Sequence, residues 1–167
     1  MGLDLTLYGI KNFNFAKLRE AMNQDKTRTI LTPEARIWQS RKTWSMYYLL
    51  RGACYEYDWC YAVSEGRWDR FMAIVESAME RNGGYEEIKA AIEDYSSWQN
   101  DPERSYDDAK AHESYDLLEN FVKSVTDQTP VLGYPEEASA ILNWYSQDEN
   151  VRAAFTDGKD LVLVAEY

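Results

Sequence analysis

The only histidine of the chain, His112, is the residue best suited to chemistry with a neighbour. On a helix it follows Asp108 by four residues and precedes Asp116 by four, so the three side chains share one ridge. An imidazole nitrogen and a carboxylate oxygen from adjacent turns could hold a divalent cation, but strong metal motifs supply more ligands. We therefore expect His112 to be exposed or paired with a carboxylate. Asp108, His112 and Asp116 remain weak metal candidates, and no cofactor is predicted.

Motifs for covalent or phosphoryl chemistry are missing from the sequence. It contains no G-x-x-x-x-G-K-[ST], no G-x-G-x-x-G and no C-x-x-C. A single histidine in an acidic segment leaves little for a Ser–His–Asp or Cys–His arrangement. The sequence favours a non-enzymatic protein, with a small metal-dependent enzyme as an alternative.

Charge is distributed unevenly along the chain. Residues 1–52 hold nine Lys and Arg against four Asp and Glu, whereas residues 53–167 hold nine against twenty-five. The net charge of −11 therefore combines a basic front with a strongly acidic remainder. Such asymmetry indicates charged partners, or two surfaces that partly neutralise each other.

Residues 86–119, the acidic stretch, hold eleven Asp and Glu against three Lys and Arg, a net charge of −8. Placed on helices, these carboxylates could imitate the charge spacing of a nucleic-acid backbone and bind a protein with a basic surface. The alternative is a solvated helix face that keeps the protein soluble. The candidate partner-binding residues are Glu86, Glu87, Glu93, Asp94, Asp101, Glu103, Asp107, Asp108, Glu113, Asp116 and Glu119.

A second charged segment lies at residues 33–51. Thr32, Pro33 and Glu34 resemble a helix start, and Gly52 a helix end, so the pattern predicts one helix between them. Basic side chains alternating with aromatic ones could contact phosphates and bases, although an amphipathic helix packed on a sheet explains the same pattern. A net charge of −11 makes nucleic acid an unfavoured partner. The alternative nucleic-acid-binding residues are Arg36, Trp38, Arg41, Lys42 and Trp44.

Hydrophobic periodicity predicts an α+β fold. Leu3, Leu5 and Leu7 alternate with polar residues as in a half-buried strand, and residues 54–63 alternate in the same way. Residues 161–165 form a continuous apolar run, which is typical of a central strand. Ser64 is expected to cap a helix whose apolar residues recur at helical spacing: Trp68, Phe71, Met72, Val75 and Met79. We expect a small sheet that includes both terminal strands, packed with about five helices in a single domain. We interpret residues 84–128 as an acidic helical insertion within that domain.

The two cysteines and the absence of targeting signals indicate a compartment. Cys54 and Cys60 on one extended strand would lie beyond disulfide reach, as expected of free thiols in a reducing cytosol. The N-terminus lacks the features of a signal peptide, and no apolar run is long enough to cross a bilayer. We predict a cytoplasmic protein with no membrane contact.

Two segments carry a resemblance to known proteins. Residues 1–8 read M-G-L-D-L-T-L-Y, and residues 58–65 read D-W-C-Y-A-V-S-E. Together with the basic pair Arg41 and Lys42, they resemble small phage and prophage proteins that open Met-Gly-Leu-Asp-Met-Tyr. Trp44, Tyr47 and Leu49 stand where that group has Asn, His and Trp. The resemblance covers roughly residues 1–80 and implies a phage-type accessory protein acting in a bacterial cytoplasm.

These observations lead to one functional hypothesis. The chain is expected to be a non-enzymatic accessory protein that binds a bacterial host protein with a basic surface and modulates or inhibits it. A nucleic-acid-handling defence complex is the suggested target. The acidic, aromatic-rich surface would form the contact, and the oligomeric state is left open.

Overall fold

Five antiparallel strands form the centre of the molecule in this computed structural model, which describes residues 3–41, 43–51, 55–57, 59–128 and 130–166. The strands are β1 (Asp4–Lys11), β2 (Arg36–Ser40), β3 (Tyr55–Tyr57), β4 (Cys60–Val63) and β5 (Lys159–Glu166), in the spatial order β2-β1-β5-β4-β3. β1 and β5 pair along their whole length, from Asp4 opposite Glu166 to Lys11 opposite Lys159. The predicted sheet with both terminal strands is confirmed.

Helices cover both faces of this sheet. They are α1 (Phe15–Asn23), α2 (Ser45–Leu50), α3 (Glu65–Arg81), α4 (Tyr85–Asn100), α5 (Ala109–Val125), α6 (Tyr134–Tyr145) and α7 (Asp148–Thr156). On one face, Leu161 and Leu163 of β5 join the main core with residues from α2 to α7. On the other face, Val162 and Val164 pack with Leu18 of α1. β5 is buried from both sides, which explains its unbroken apolar run and confirms the α+β class.

Helix α3 follows the sequence pattern closely. Ser64 accepts a hydrogen bond from the backbone N–H of Arg67 and so caps the helix, as predicted. Gly83 and Gly84, with φ of 93° and 98°, end the segment in backbone conformations that favour glycine. The predicted apolar stripe is buried in full: Trp68, Phe71, Met72, Val75 and Met79.

The predicted helix over residues 33–51 is wrong. Thr32 does cap a turn, by accepting from the N–H of Ala35, but the turn ends there and the chain continues as β2. Helical structure returns only in α2, and Lys42 and Gly52 lie outside the described residues. β-Branched and aromatic residues such as Ile37 and Trp38 favour strands over helices, and here they lie on a strand that pairs with β1. Pairing with β1 therefore decides the conformation of this segment.

The predicted strand over residues 54–63 is two strands of a hairpin. Trp59 adopts a φ of 67° between β3 and β4, and Tyr57 pairs with Cys60 across the turn. The prediction that Cys54 and Cys60 lie beyond disulfide reach assumed a single extended strand, which the hairpin replaces. Cys54 itself lies outside the described residues. Cys60 is a free, buried thiol, and its burial raises its pKa to about 11.

Helices α4 and α5, which carry the acidic stretch, pack into the main core. Ile88 of α4 and Leu118 and Phe121 of α5 belong to the same buried cluster as Leu5 and Leu163 of the sheet. The interpretation of residues 84–128 as an insertion in a single domain stays a prediction. Because these helices bury their apolar stripes, their polar faces are held in fixed positions.

Candidate binding site

Five aromatic side chains, on α4, α5, α6 and the loop between α4 and α5, form a continuous row, which we call the aromatic row. Ring centroids are 6.5 Å apart for Tyr106 and Trp98, 5.4 Å for Trp98 and Tyr95, 5.7 Å for Tyr95 and Tyr115, and 6.2 Å for Tyr115 and Tyr134. Tyr106 is 82% exposed, and the other four side chains are half-buried. Contacting, partly exposed rings are typical of protein-binding surfaces.

A small cavity, which we call the slot, opens between α4 and α5 beside this row. It has a volume of about 200 Å³ and is lined by Tyr95, Trp98, Ala111, His112 and Tyr115. On the other side of Tyr95 lies a second hollow of about 310 Å³, whose wall includes Glu136 of α6. The slot is therefore an apolar recess within the most acidic part of the chain.

The loop between α4 and α5 is ordered by short-range hydrogen bonds. The indole Nε1 of Trp98 donates to the carbonyl oxygen of Ser105 at 2.9 Å, which fixes that ring at the mouth of the slot. The carboxylate of Asp101 accepts from the N–H of Glu103, and the Ser105 hydroxyl accepts from the N–H of Asp107. Side chains of Asp and Ser that bond to nearby backbone in this way stabilise turns.

Arg104 neutralises part of the predicted acidic surface. Its guanidinium contacts Asp94 at 3.2 Å and Asp108 at 2.8 Å, while Ser114 donates to Asp94 at 2.8 Å. Asp108 also accepts from the N–H of Ala111 and caps α5. The arginine hydrogen bond, followed by this backbone bond, lowers the pKa of Asp108 to about 2. Burial opposes ionisation of Asp94, but hydrogen bonds from Ser114 and Arg104 outweigh it and lower its pKa.

We predict that Arg104→Gln destabilises the protein at neutral pH and that this effect disappears in acid. The pKa of Asp108 is lower in the folded chain than the ordinary value near 4, so its pairing stabilises the fold above about pH 4. That contribution is lost as the pH falls towards about 2. Urea unfolding at a series of pH values measures the difference between the two proteins. Lys89→Gln, at an exposed position on α4, is the control, and a difference that does not change with pH would contradict the prediction.

The remaining acidic candidates lie mostly at the surface. Asp101 and Glu119 are half-buried, and Glu119 pairs with Lys123 at 2.8 Å. Asp94 and Asp108 are engaged with Arg104, so they position the loop and are not free for a partner. The exposed members of the predicted set are Glu86, Glu87, Glu93, Glu103, Asp107, Glu113 and Asp116.

Two carboxylates contribute to raised tyrosine pKa values in the aromatic row. Burial first, and then Glu136, raises the pKa of Tyr95; burial and then Glu119 raises that of Tyr115. At the far end of the row, the ammonium of Lys123 lies 5.6 Å from the centroid of the Tyr134 ring. The row thus combines neutral phenols, nearby negative charge and one cation already placed over a ring.

The residues proposed for nucleic-acid contact do not share a helix face. Arg36 and Trp38 lie on the edge strand β2, Arg41 follows that strand, and Trp44 precedes α2. Lys42 lies outside the described residues. The guanidinium of Arg36 donates to the side-chain oxygen of Gln39 at 3.0 Å. The helix on which the nucleic-acid alternative depended is therefore absent from the described part of this segment.

The metal candidates are separated by their contacts. The two oxygens of Asp108 accept from Arg104 and from the N–H of Ala111, while His112 and Asp116 are exposed. Among the described residues, no three His, Cys, Asp or Glu side chains come together in a group that could hold a metal ion.

A wider groove of about 780 Å³ lies between β2 and α7. Gly9 lines this groove, and a Cβ atom at that position would approach the side chain of Ile37 to 3.2 Å. Its charged residues have both signs: Glu34, Arg36, Asp157 and Lys159. Because both signs are present, the groove favours neither a cationic nor an anionic ligand, whereas the slot lies in the acidic stretch.

Glu137 of α6 is a buried carboxylate that the sequence pattern does not reveal. Its side chain is fully buried and accepts from the N–H groups of Trp44 and Ser45 and from the hydroxyls of Thr43 and Ser45. It therefore caps α2 from a distant part of the chain. Nothing in the sequence distinguishes it from Glu136, which is exposed. Because Ser45 is also buried, this cluster is structural and has no open face for a substrate.

Comparisons with known proteins identify no family or relative for this chain. No protein-family model matches the chain, and no significant match was found among curated proteins or solved structures. Within the described part of the chain, none of the helices has the length and apolar character required to span a membrane.

Proposed function

We propose that this protein is a non-enzymatic, phage-type accessory protein that binds a bacterial protein with a basic surface. Its contact surface comprises the exposed carboxylates of the acidic stretch and the aromatic row. The single observation that supports this most strongly is the slot, an aromatic recess between the two helices that carry the acidic stretch. The bacterial and phage setting is supported by the resemblance of residues 1–80.

The size and charge of this surface suit a protein partner. Helices α4 and α5 have 16 and 17 residues, which correspond to lengths of about 24–26 Å. Such a face can cover roughly 800 Å² on each partner, the usual extent of a specific interface. Carboxylates around it would attract a basic protein and guide its approach, while the rings supply the buried contacts.

Three glutamates test the contribution of charge to this binding. We predict that changing Glu93, Glu103 and Glu113 together to glutamine weakens partner binding about tenfold, since each exposed charge contributes roughly 0.5 kcal/mol. The matched control changes Glu20, Glu34 and Glu149 to glutamine, which alters the net charge equally at exposed positions outside the acidic stretch. Affinity for the purified partner is measured by calorimetry at several salt concentrations.

The partner is first captured by a photo-reactive residue at position 106, where Tyr106 is 82% exposed. A cross-linked basic bacterial protein whose affinity falls only in the acidic-stretch variant supports the proposal. Equal losses in both variants would indicate general charge attraction and contradict it, as would the failure to capture any protein at position 106. If the partner handles nucleic acid, competition with that nucleic acid measures the proposed inhibition.

A further inference from the structure

We propose that the slot between α4 and α5 holds one arginine side chain of the basic partner. This inference rests on the proposed function and specifies the anchor of that interface. The occupant is an arginine of another protein because the slot has aromatic walls, opens to the surface and lies between the two helices of the acidic stretch.

The molecule itself shows which groups its tyrosine clusters accept. The ammonium of Lys123 lies over Tyr134, with the carboxylate of Glu119 bonded to it at 2.8 Å. Elsewhere, the guanidinium of Arg51 lies 5.2 Å and 5.1 Å from the ring centroids of Tyr47 and Tyr48. Cations over tyrosine rings therefore occur in two separate places in the described part of the chain.

Two parts of the aromatic row differ in one respect. At Tyr134, the chain's own Lys123 occupies the ring face. At Tyr95 and Trp98, the rings are inclined by 44° to each other and border an open cavity of about 200 Å³. Residues 86–119 hold eleven carboxylates against only Lys89, Arg104 and Lys110, so charge complementarity assigns a cation from outside the chain to this part of the row.

Arginine fits this cavity better than lysine does. A guanidinium is planar and weakly hydrated, so it can stack against a ring and lose water at little cost, whereas an ammonium is compact and strongly hydrated. Three of the five lining residues are aromatic, and a fourth is Ala111. An arginine stem and its planar head would cover these walls while the surrounding carboxylates balance the charge.

The experiment compares two peptides of equal charge and length, one with arginine alternating with glycine and one with lysine alternating with glycine. Calorimetry measures their affinities, and the NMR signal of the Trp98 indole N–H reports occupancy of the slot. We expect the arginine peptide to bind about tenfold more tightly and to shift this signal. Equal affinities, an unshifted signal or no binding of either peptide would overturn the inference.

Variants at exposed positions keep the test independent of folding. His112→Lys places an ammonium at the wall of the slot and is expected to remove the preference for the arginine peptide. Asn120→Lys adds the same charge to α5 outside the slot and should retain that preference. Retention of the preference in His112→Lys would contradict the inference.

Failure of the anchor and failure of the proposed function give different results. If only the anchor is wrong, both peptides bind equally and both lose affinity when Glu93, Glu103 and Glu113 become glutamine. If the proposed function is wrong, the affinity of the captured protein does not depend on those three residues.

Discussion

Replacing Glu137 with alanine is expected to lower the free energy of unfolding by about 3–5 kcal/mol, because the buried donors of Thr43, Trp44 and Ser45 then lose their acceptor. Two of these donors are backbone N–H groups at the start of α2, a helix whose N-cap residue supplies no side-chain hydrogen bond. Urea denaturation at neutral pH measures the effect.

Two further substitutions separate the hydrogen bonds from the volume of the side chain. Glu137→Gln keeps the size and one carbonyl oxygen but points an NH₂ group towards other donors, so we expect a loss of about 1–3 kcal/mol. Glu136→Gln, at the exposed neighbouring position, should change stability by less than about 0.5 kcal/mol. Similar small effects for all three variants would show that this network does not stabilise the fold.

Glu137 also connects the fold to the candidate site. It lies in the first turns of α6, the helix that begins at Tyr134 and carries Glu136. By binding the start of α2, it fixes the end of α6 that supplies one member of the aromatic row. We infer that the row is held in place by a contact far from it in sequence.

The sequence predicts well those strands and helices whose own hydrophobic pattern is enough to determine their conformation. Leu3, Leu5 and Leu7 indicate a strand because these alternate side chains all enter the main core, and the apolar run at residues 161–165 indicates a strand covered on both faces. The stripe on α3 belongs to the same class. In each case, the local period matches the surface that the core requires.

Segments whose conformation depends on a distant partner could not be predicted in this way. The interval from Thr32 to Gly52 carries a helix start signal, yet pairing with β1 makes residues 36–40 a strand. Trp59 turns the hairpin with a positive φ, although no glycine or asparagine marks the turn in sequence. In both cases, the residues of the segment alone do not determine its backbone conformation.

The candidate site shows the same division. The acidic stretch and its helices follow from composition and spacing, but the pairing of Asp94 and Asp108 with Arg104 requires the loop to fold back on α4. The aromatic row joins residues from three helices and a loop, so only their packing reveals it. The sequence therefore predicts which charges are available, and the structure shows which of them are already engaged.

Replacing Phe121 with alanine is expected to destabilise the whole protein by about 3–5 kcal/mol, the usual cost of removing a fully buried aromatic ring. Phe121 lies in α5 but belongs to the core shared with the sheet and with α3. Because the ring is part of that common core, unfolding should remain a single transition. Circular dichroism and tryptophan fluorescence in urea should report the same midpoint for the variant.

Hydrogen exchange distinguishes a chain that unfolds as one domain from a chain in which residues 84–128 fold as a separate insertion. If α4 and α5 are integral to the core, Phe121→Ala lowers protection in β1 and β5 as much as in α5, since all open in the same global event. Trp68→Ala, which removes an equally buried ring from α3, is the control and should give the same pattern. Loss of protection confined to residues 84–128 would contradict this prediction and support a separately folding insertion. In that case four members of the aromatic row would lie on a unit able to open without the sheet, and Tyr134 of α6 would not.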